Sequence, residues 1–280
     1  MITQLKRVLT IAGSDSGGSA GIQADLKTFE ARGVFGTTAV TVVTAQDTYG
    51  VKAVHMMPED FIRAQATAVL DDIGADALKT GLLGRETVVH LAAELVRAYN
   101  IQRVVVDPVL LDGRGRQFVS DEAVTAYREV LFPLVAVITP NLDEAALLAG
   151  IEIRTINDMH TAAQRLHEFG VKTVLVKGGH LADADSSVTH ITDVIFDGNQ
   201  FIELTALRLP VKNPHGVGCT FASAVAAELA KGQPAIAAIT TAHHYLQAAL
   251  AGILEFENRI GGGRTPVFHG VGRPPLDFES

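Results

Sequence analysis

A chain of 280 residues that is 48% hydrophobic and 19% charged can bury a large core, and this composition excludes a disordered protein. Its formal net charge of -8 excludes a broad nucleic-acid surface, so any phosphate ligand must be held by local backbone donors and a metal. The single cysteine excludes an intramolecular disulfide framework and suits a reducing cytosol.

Lys6 and Arg7 precede an apolar run as a signal peptide would, but the run stops at Ser14 and Asp15. That is short of the roughly 7–15 residues of a signal core, so a soluble, cytoplasmic protein is expected. The first predicted strand is RVLTIAG (7–13), followed by the glycine-rich SDSGGSAGIQAD and a helix over 20–32. A second β-branched run, TTAVTVVTA (37–45), leads into Gln46. Pro58 ahead of Glu59 and Asp60 marks a helix over 59–73. Residues 76–80 run into GLLG, and a helix follows over 86–99. RVVVDPV (103–109) carries Asp107 before Pro108, with a helix over 121–132 behind it. VAVIT (135–139) runs into TPNLDE and a helix over 143–150. Asn157 before Asp158 marks a helix over 158–169, and KTVLVKGG (172–179) is the next strand.

Near 188–206, two strand-like runs flank Asp197-Gly198-Asn199 and predict an antiparallel hairpin. Two Ala-rich helices, 218–232 and 234–256, are separated by Gly232 and Pro234. The apolar stretch 235–254 contains Thr240, Thr241, His243, His244 and Gln247, which makes it a poor membrane span. Strand runs that are apolar throughout suit burial on both faces. Their alternation with helices predicts one α/β domain over 1–280, with a mostly parallel central sheet and helices on both sides.

Ligands of such sheets bind beyond the carboxyl ends of the strands, and nearly every polar or glycine-rich segment here follows a strand. Neither a P-loop nor a G-x-G-x-x-G fingerprint is present. HGVGCT (215–220) is the strongest chemical signal. Gly216, Val217 and Gly218 let backbone N–H groups converge at a helix start, which suits an anion. The same dipole is expected to depress the Cys219 pKa and make the thiol a base, although a free cysteine at a helix start also reads as core packing. Asn141 and Glu144 share a helix face and can hold Mg²⁺ through water, or simply form a helix cap. Asp107 is a second candidate for a metal–phosphate cluster, or a turn residue. Gln46 offers an amide to a ring bearing an amino group, or to solvent. Asp25 can accept from a substrate hydroxyl or amine, or be an ordinary helix charge.

Taken together, TIAGSDSGGSAGIQADLKTF, VTAQDTYGV, KTGLLG, VVVDPV, ITPNLDEA, LVKGGH and HGVGCTFASAVAAELAKG run in order from about residue 7 to 232. This set resembles the hydroxymethylpyrimidine/phosphomethylpyrimidine kinases of thiamin biosynthesis, a branch of the ribokinase superfamily close to certain pyridoxal kinases. The resemblance implies a three-layer α/β/α sandwich of ribokinase type, usually a homodimer, that uses ATP and Mg²⁺. It implies an anion hole at Gly216, Val217 and Gly218, with Cys219 as catalytic base where most ribokinase relatives have Asp. It places Asn141, Lys177 and Asp107 at the nucleotide, Glu144 and Asp107 at the metal, and Gln46, Asp25, Gly13 and Leu82 at the pyrimidine. Three departures stand out: Pro214 and Val217 replace threonines of the usual NTHGTGC, and Leu82 or Leu83 stands where a Met often contacts the ring. Residues 233–280 carry the weakest match. The rival expectations are a pyridoxine/pyridoxal kinase and a non-catalytic pyrimidine sensor.

Overall fold

The computed structural model describes residues 4–111, 115, 117–179, 189–255 and 260–271. Strand β1 (Arg7–Asp15) and helix α1 (Gly21–Ala31) lead into a hairpin of β2 (Phe35–Asp47) and β3 (Gly50–Met56), then α2 (Glu59–Asp72). Next come β4 (Ala77–Thr80), α3 (Glu86–Ala98), β5 (Val104–Val106), α4 (Asp121–Ala126) and β6 (Val137–Ile138). After α5 (Leu142–Ala149), α6 (Ile156–Glu168) and β7 (Thr173–Val176), a second hairpin is formed by β8 (His190–Phe196) and β9 (Phe201–Leu207). The short β10 (Pro214–His215) precedes α7 (Val217–Ala230) and α8 (Ala235–Gly252), and β11 (Thr265–Pro266) pairs back onto β10.

Nine strands form one sheet in the order β3-β2-β1-β4-β5-β6-β7-β8-β9. The six from β2 to β7 are parallel, and β3, β8 and β9 add antiparallel edges. Strand order reverses between β1 and β4, the position where open α/β sheets form a ligand crevice at their carboxyl ends. Alternate strand residues serve opposite layers. Leu9, Ile11, Leu78, Val106, Ile138 and Val174 pack with α2–α6, whereas Val8, Ala77, Val105, Val137 and Leu175 pack with α7 and α8. The expected three-layer architecture is therefore present. Two residues further along that second set stand Thr10, Lys79, Asp107, Thr139 and Lys177. The face that begins apolar thus turns polar at one edge, beneath the start of α7.

Several local expectations are corrected. β3 has no predicted counterpart because five of its seven residues are solvent-exposed, so it carries no apolar alternation. It forms because Asp47 Oδ1 accepts the N–H groups of Tyr49 and Gly50 and closes the turn. The helix expected over 121–132 is α4 followed by a wider π turn (Tyr127–Leu131) and a 3₁₀ turn (Phe132–Leu134). Helix α6 begins two residues before the expected start, because Thr155, not Asn157, makes the capping box with Asp158. The hairpin about Asp197-Gly198-Asn199 is present. His180, Val188 and residues 256–259 and 272–280, which belong to predicted segments, lie outside the described residues. No helix among the described residues is long and apolar enough to cross a membrane.

Candidate active site

Gly216 caps α7 with φ +83°, and a Cβ there would lie 1.7 Å from the Ser19 carbonyl oxygen. Only glycine fits, because the turn packs directly on the loop that follows β1. A Cβ on Gly218 would sit 3.1 Å from Lys177 Nζ and 3.5 Å from both Asp107 oxygens. The Val217, Gly218 and Cys219 N–H groups belong to the first helical turn, which has no intrahelical acceptors for them. With the helix dipole behind them, they line a corner between β1, β5 and β7 of the kind that can receive an anion. Thr220 donates to the Gly216 carbonyl (2.8 Å) and is hydrogen-bonded to His269 Nε2 (2.9 Å). His269 is held in turn by Tyr245, whose hydroxyl donates to its carbonyl (2.9 Å). The segment after α8, weakly matched in sequence, therefore braces this turn.

Cys219 is partly accessible and stands third in α7. The expectation of a depressed pKa is corrected. Burial pushes the thiol up to about 12, the carboxylates of Asp107 and Asp25 add to that, and Lys79 and an N–H from Gly21 oppose it. The helix dipole alone does not offset desolvation here.

Lys177 donates to Asp107 Oδ1 (3.3 Å), and Thr139 donates to the same oxygen (3.4 Å). The Lys177 backbone N–H donates to the Pro140 carbonyl (3.0 Å), which ties β7 to the start of α5. There Asn141 and Glu144 form a reciprocal capping box, each accepting the other's N–H at 2.9 Å. The capping reading is thus correct, and it also delivers Glu144 to the Asp107–Lys177 pair. Burial pushes Glu144 up to about 7, Asp107 contributes, and Lys177 pulls the other way. Two buried carboxylates facing one ammonium leave negative charge over, which fits a divalent cation. Among the described residues no three His, Cys, Asp or Glu side chains gather closely enough to cage a metal.

Gln46 lies at the end of β2, and its Nε2 is hydrogen-bonded to His215 Nε2 at 2.8 Å, immediately before the turn. Burial and Arg264 push the His215 pKa down against the pull of Asp15, keeping the ring neutral. Asp15 itself accepts the N–H groups of Gly17 (2.8 Å), Ser19 (3.0 Å) and Ala20 (2.8 Å) and so shapes the glycine loop. A Cβ on Gly13 would lie 3.3 Å from the Leu82 side chain, so these two share one wall. Leu83 is fully buried, which leaves Leu82 as the one accessible to a ligand.

Asp25 departs from its expected place at the substrate. It is fully buried, and its oxygens accept from Thr10 (2.7 Å), Ser223 (2.7 Å) and Lys79 (3.0 Å to each oxygen). It supports the floor of the site instead. Sequence reasoning gave no role to Lys79 or His215. The signal for Lys79 is a charge inside a strand otherwise buried on both faces; for His215 it is adjacency to the glycine turn.

A family model described as phosphomethylpyrimidine kinase matches residues 15–267. The hydroxymethylpyrimidine/phosphomethylpyrimidine kinase of Bacillus subtilis (strain 168) is 41% identical over 263 residues, covering 94% of this chain and 94% of its own length. The probable thiamine biosynthetic bifunctional enzyme, chloroplastic, of Oryza sativa subsp. japonica is 45% identical over 244 residues, 87% of this chain and 44% of that protein. The chain thus spans about half the length of such bifunctional relatives. Among solved structures, the ADP complex of Bacillus subtilis pyridoxal kinase matches with a TM-score of 0.84 at 40% identity, covering 95% of this chain and 98% of that one. The family match runs from the loop that seats the anion corner to the segment that braces it, and this chain belongs to the phosphomethylpyrimidine kinase family.

Proposed function

We propose that the chain transfers the terminal phosphoryl group of ATP to the hydroxymethyl oxygen of 4-amino-5-hydroxymethyl-2-methylpyrimidine, and then to the monophosphate, in thiamine biosynthesis. The observation that carries this reading is the meeting, at one sheet edge, of an anion corner, a buried carboxylate–ammonium cluster and an amide held by a neutral histidine. Phosphoryl transfer needs mainly alignment and charge neutralisation, and these are what such a corner supplies.

The roles divide as follows. The N–H groups of Val217, Gly218 and Cys219 receive the transferring phosphoryl oxygens. Lys177 reaches the nucleotide phosphates, with Asp107 holding it in place. Asn141 and the buried Glu144 order the nucleotide from the start of α5. Glu144 and Asp107 are the residues that would hold Mg²⁺ through water, and the ion would neutralise phosphate charge. Gln46 gives one N–H to His215 and keeps its oxygen and second N–H for the amino group and neighbouring ring nitrogen of the pyrimidine. Gly13 and Leu82 wall the ring. Cys219 takes the hydroxymethyl proton in the first step. In the second step the nucleophile is a phosphate oxygen, already anionic at neutral pH, and no base is required. The working form is a cytoplasmic homodimer of one kinase domain per chain.

Cys219→Ala tests this division. We expect kcat of the first phosphorylation to fall by about 10²–10⁴-fold, the usual worth of a general base, and the second to fall far less. Equal losses would remove the base role. The likeness to a pyridoxal kinase supports one competing reading, phosphorylation of pyridoxal. Comparing kcat/KM for the two alcohols decides it, and a preference for pyridoxal would reverse the assignment.

A further inference from the structure

A buried ion pair is poor evidence for stability, since apolar residues of similar volume usually serve the fold as well. Lys79 and Asp25 are nevertheless both sealed completely from solvent. Everything around them fixes the ammonium rather than tolerating it. Nζ lies 3.0 Å from both carboxylate oxygens, and Thr10 and Ser223 clamp the same carboxylate from β1 and from α7. Ser223 stands one helical turn after Cys219, so the clamp and the thiol ride on the same stretch of helix. On the other side Gly81 leaves room for the ammonium, because a Cβ there would lie 2.9 Å from Nζ. The ammonium acts electrostatically on Cys219 and Asp107 as well as on Asp25. Burial works against its charge, but these three groups outweigh it and keep Lys79 protonated.

We propose that Lys79 is a positioning residue for the alcohol step: a permanent positive charge, clamped by Asp25, that allows the Cys219 thiolate to form inside the fold. The proposal rests on the reading of Cys219 as the base. The thiol first loses its proton to solvent, leaving a thiolate one helical turn from Ser223, which clamps the Lys79–Asp25 pair. As the hydroxymethyl oxygen forms its bond to the terminal phosphorus and the bond to the ADP oxygen breaks, the thiolate sulfur takes the hydroxyl proton. Cys219 is then a neutral thiol again, and ADP carries away the electron pair. Without Lys79, the charged sulfur is favoured by the Gly21 N–H, the helix dipole and Lys177, whose charge is already shared by Asp107 and Glu144.

Because Cys219 is the only cysteine in the chain, its ionisation can be followed alone, by thiolate ultraviolet absorbance and by the pH dependence of iodoacetamide alkylation. We expect Lys79→Met to slow alkylation about tenfold or more at mildly alkaline pH, corresponding to at least one unit of upward titration shift. Asp25→Asn should do the opposite, because the buried ammonium then takes the thiolate as its counterion. The double variant Asp25→Asn/Lys79→Met should lie between them. Disruption of packing would move all three in one direction, so opposite signs identify the electrostatic role. If Lys79→Met fails to fold, Asp25→Asn still decides the matter. An unchanged or slower alkylation in Asp25→Asn, or an unchanged titration in Lys79→Met, overturns the proposal. Failure of the base reading is separate: it is read from Cys219→Ala turnover, which does not enter the titration.

Discussion

Two lysine–aspartate pairs stand on the same sheet face, one on each side of the glycine turn, and they differ in almost every physical respect. In the Lys79–Asp25 pair both side chains are 0% exposed, the contact is bidentate, and the carboxylate is saturated by two hydroxyls. In the Lys177–Asp107 pair the lysine is 14% exposed, the contact is a single 3.3 Å bond, and Glu144, its pKa pushed up by burial, acts on the same ammonium. The first is a fixed source of field, costly to open and unable to reach a ligand. The second is loosely made and reaches the accessible side, and under the proposed function a ligand phosphate exchanges into it. The same two residue types thus become scaffold or hand according to how many partners the fold gives them.

The sharpest way to break this contrast is to remove each anion. Asp25→Ala should cost about 3–5 kcal/mol of unfolding free energy, because it leaves an uncompensated ammonium in the interior. Asp107→Ala should cost less, about 1–3 kcal/mol, since Glu144 remains to face the ammonium. Chemical denaturation of both variants checks this, and equal losses would erase the distinction. Activity should show the reverse weighting. Lys177→Met is expected to lower kcat/KM by about 10²–10³-fold, comparable to losing one preformed charge-stabilising group, with its melting temperature little changed. A thermal melt beside steady-state kinetics measures both.

The smallest effect concerns what holds the turn between the pairs. Burial, helped by Lys27, pushes the His269 pKa down to about 4. The folded protein therefore binds fewer protons there than the unfolded chain between about 4 and the ordinary histidine range. Stability from this group is complete above that range and is lost as pH falls through it. His269→Gln should flatten the acid limb of the stability curve by about 1–3 kcal/mol, read from melts across mildly acidic pH. An unchanged slope would mean that the pairs, not the brace, hold the turn.

What could be read from the sequence follows burial. Strands such as VVV at 104–106 are apolar on both faces and are legible at once, as is the alternation that builds the layers. β3 was invisible because its side chains face solvent and its existence depends on the β2 pairing. At the site, the glycine turn and the Asn141–Glu144 spacing were legible because backbone shape dictates the residue type. The titration of Cys219 was not: the dipole can be inferred from a helix start, but burial and the charges of Asp25, Lys79 and Asp107 come from parts of the chain far from the turn. Asp25 was misplaced for the same reason, since its partners Thr10, Lys79 and Ser223 are far apart in the chain.

One feature of the fold has a bearing on synthesis. The glycine turn before α7 is stitched to Thr265, Pro266 and His269, some fifty residues further on. A nascent polypeptide stalled at the exit of the ribosome before that stretch would possess every group named for the chemistry while lacking the stitch that sets them. The turn is therefore expected to take its final shape only once residues 265–269 have been made.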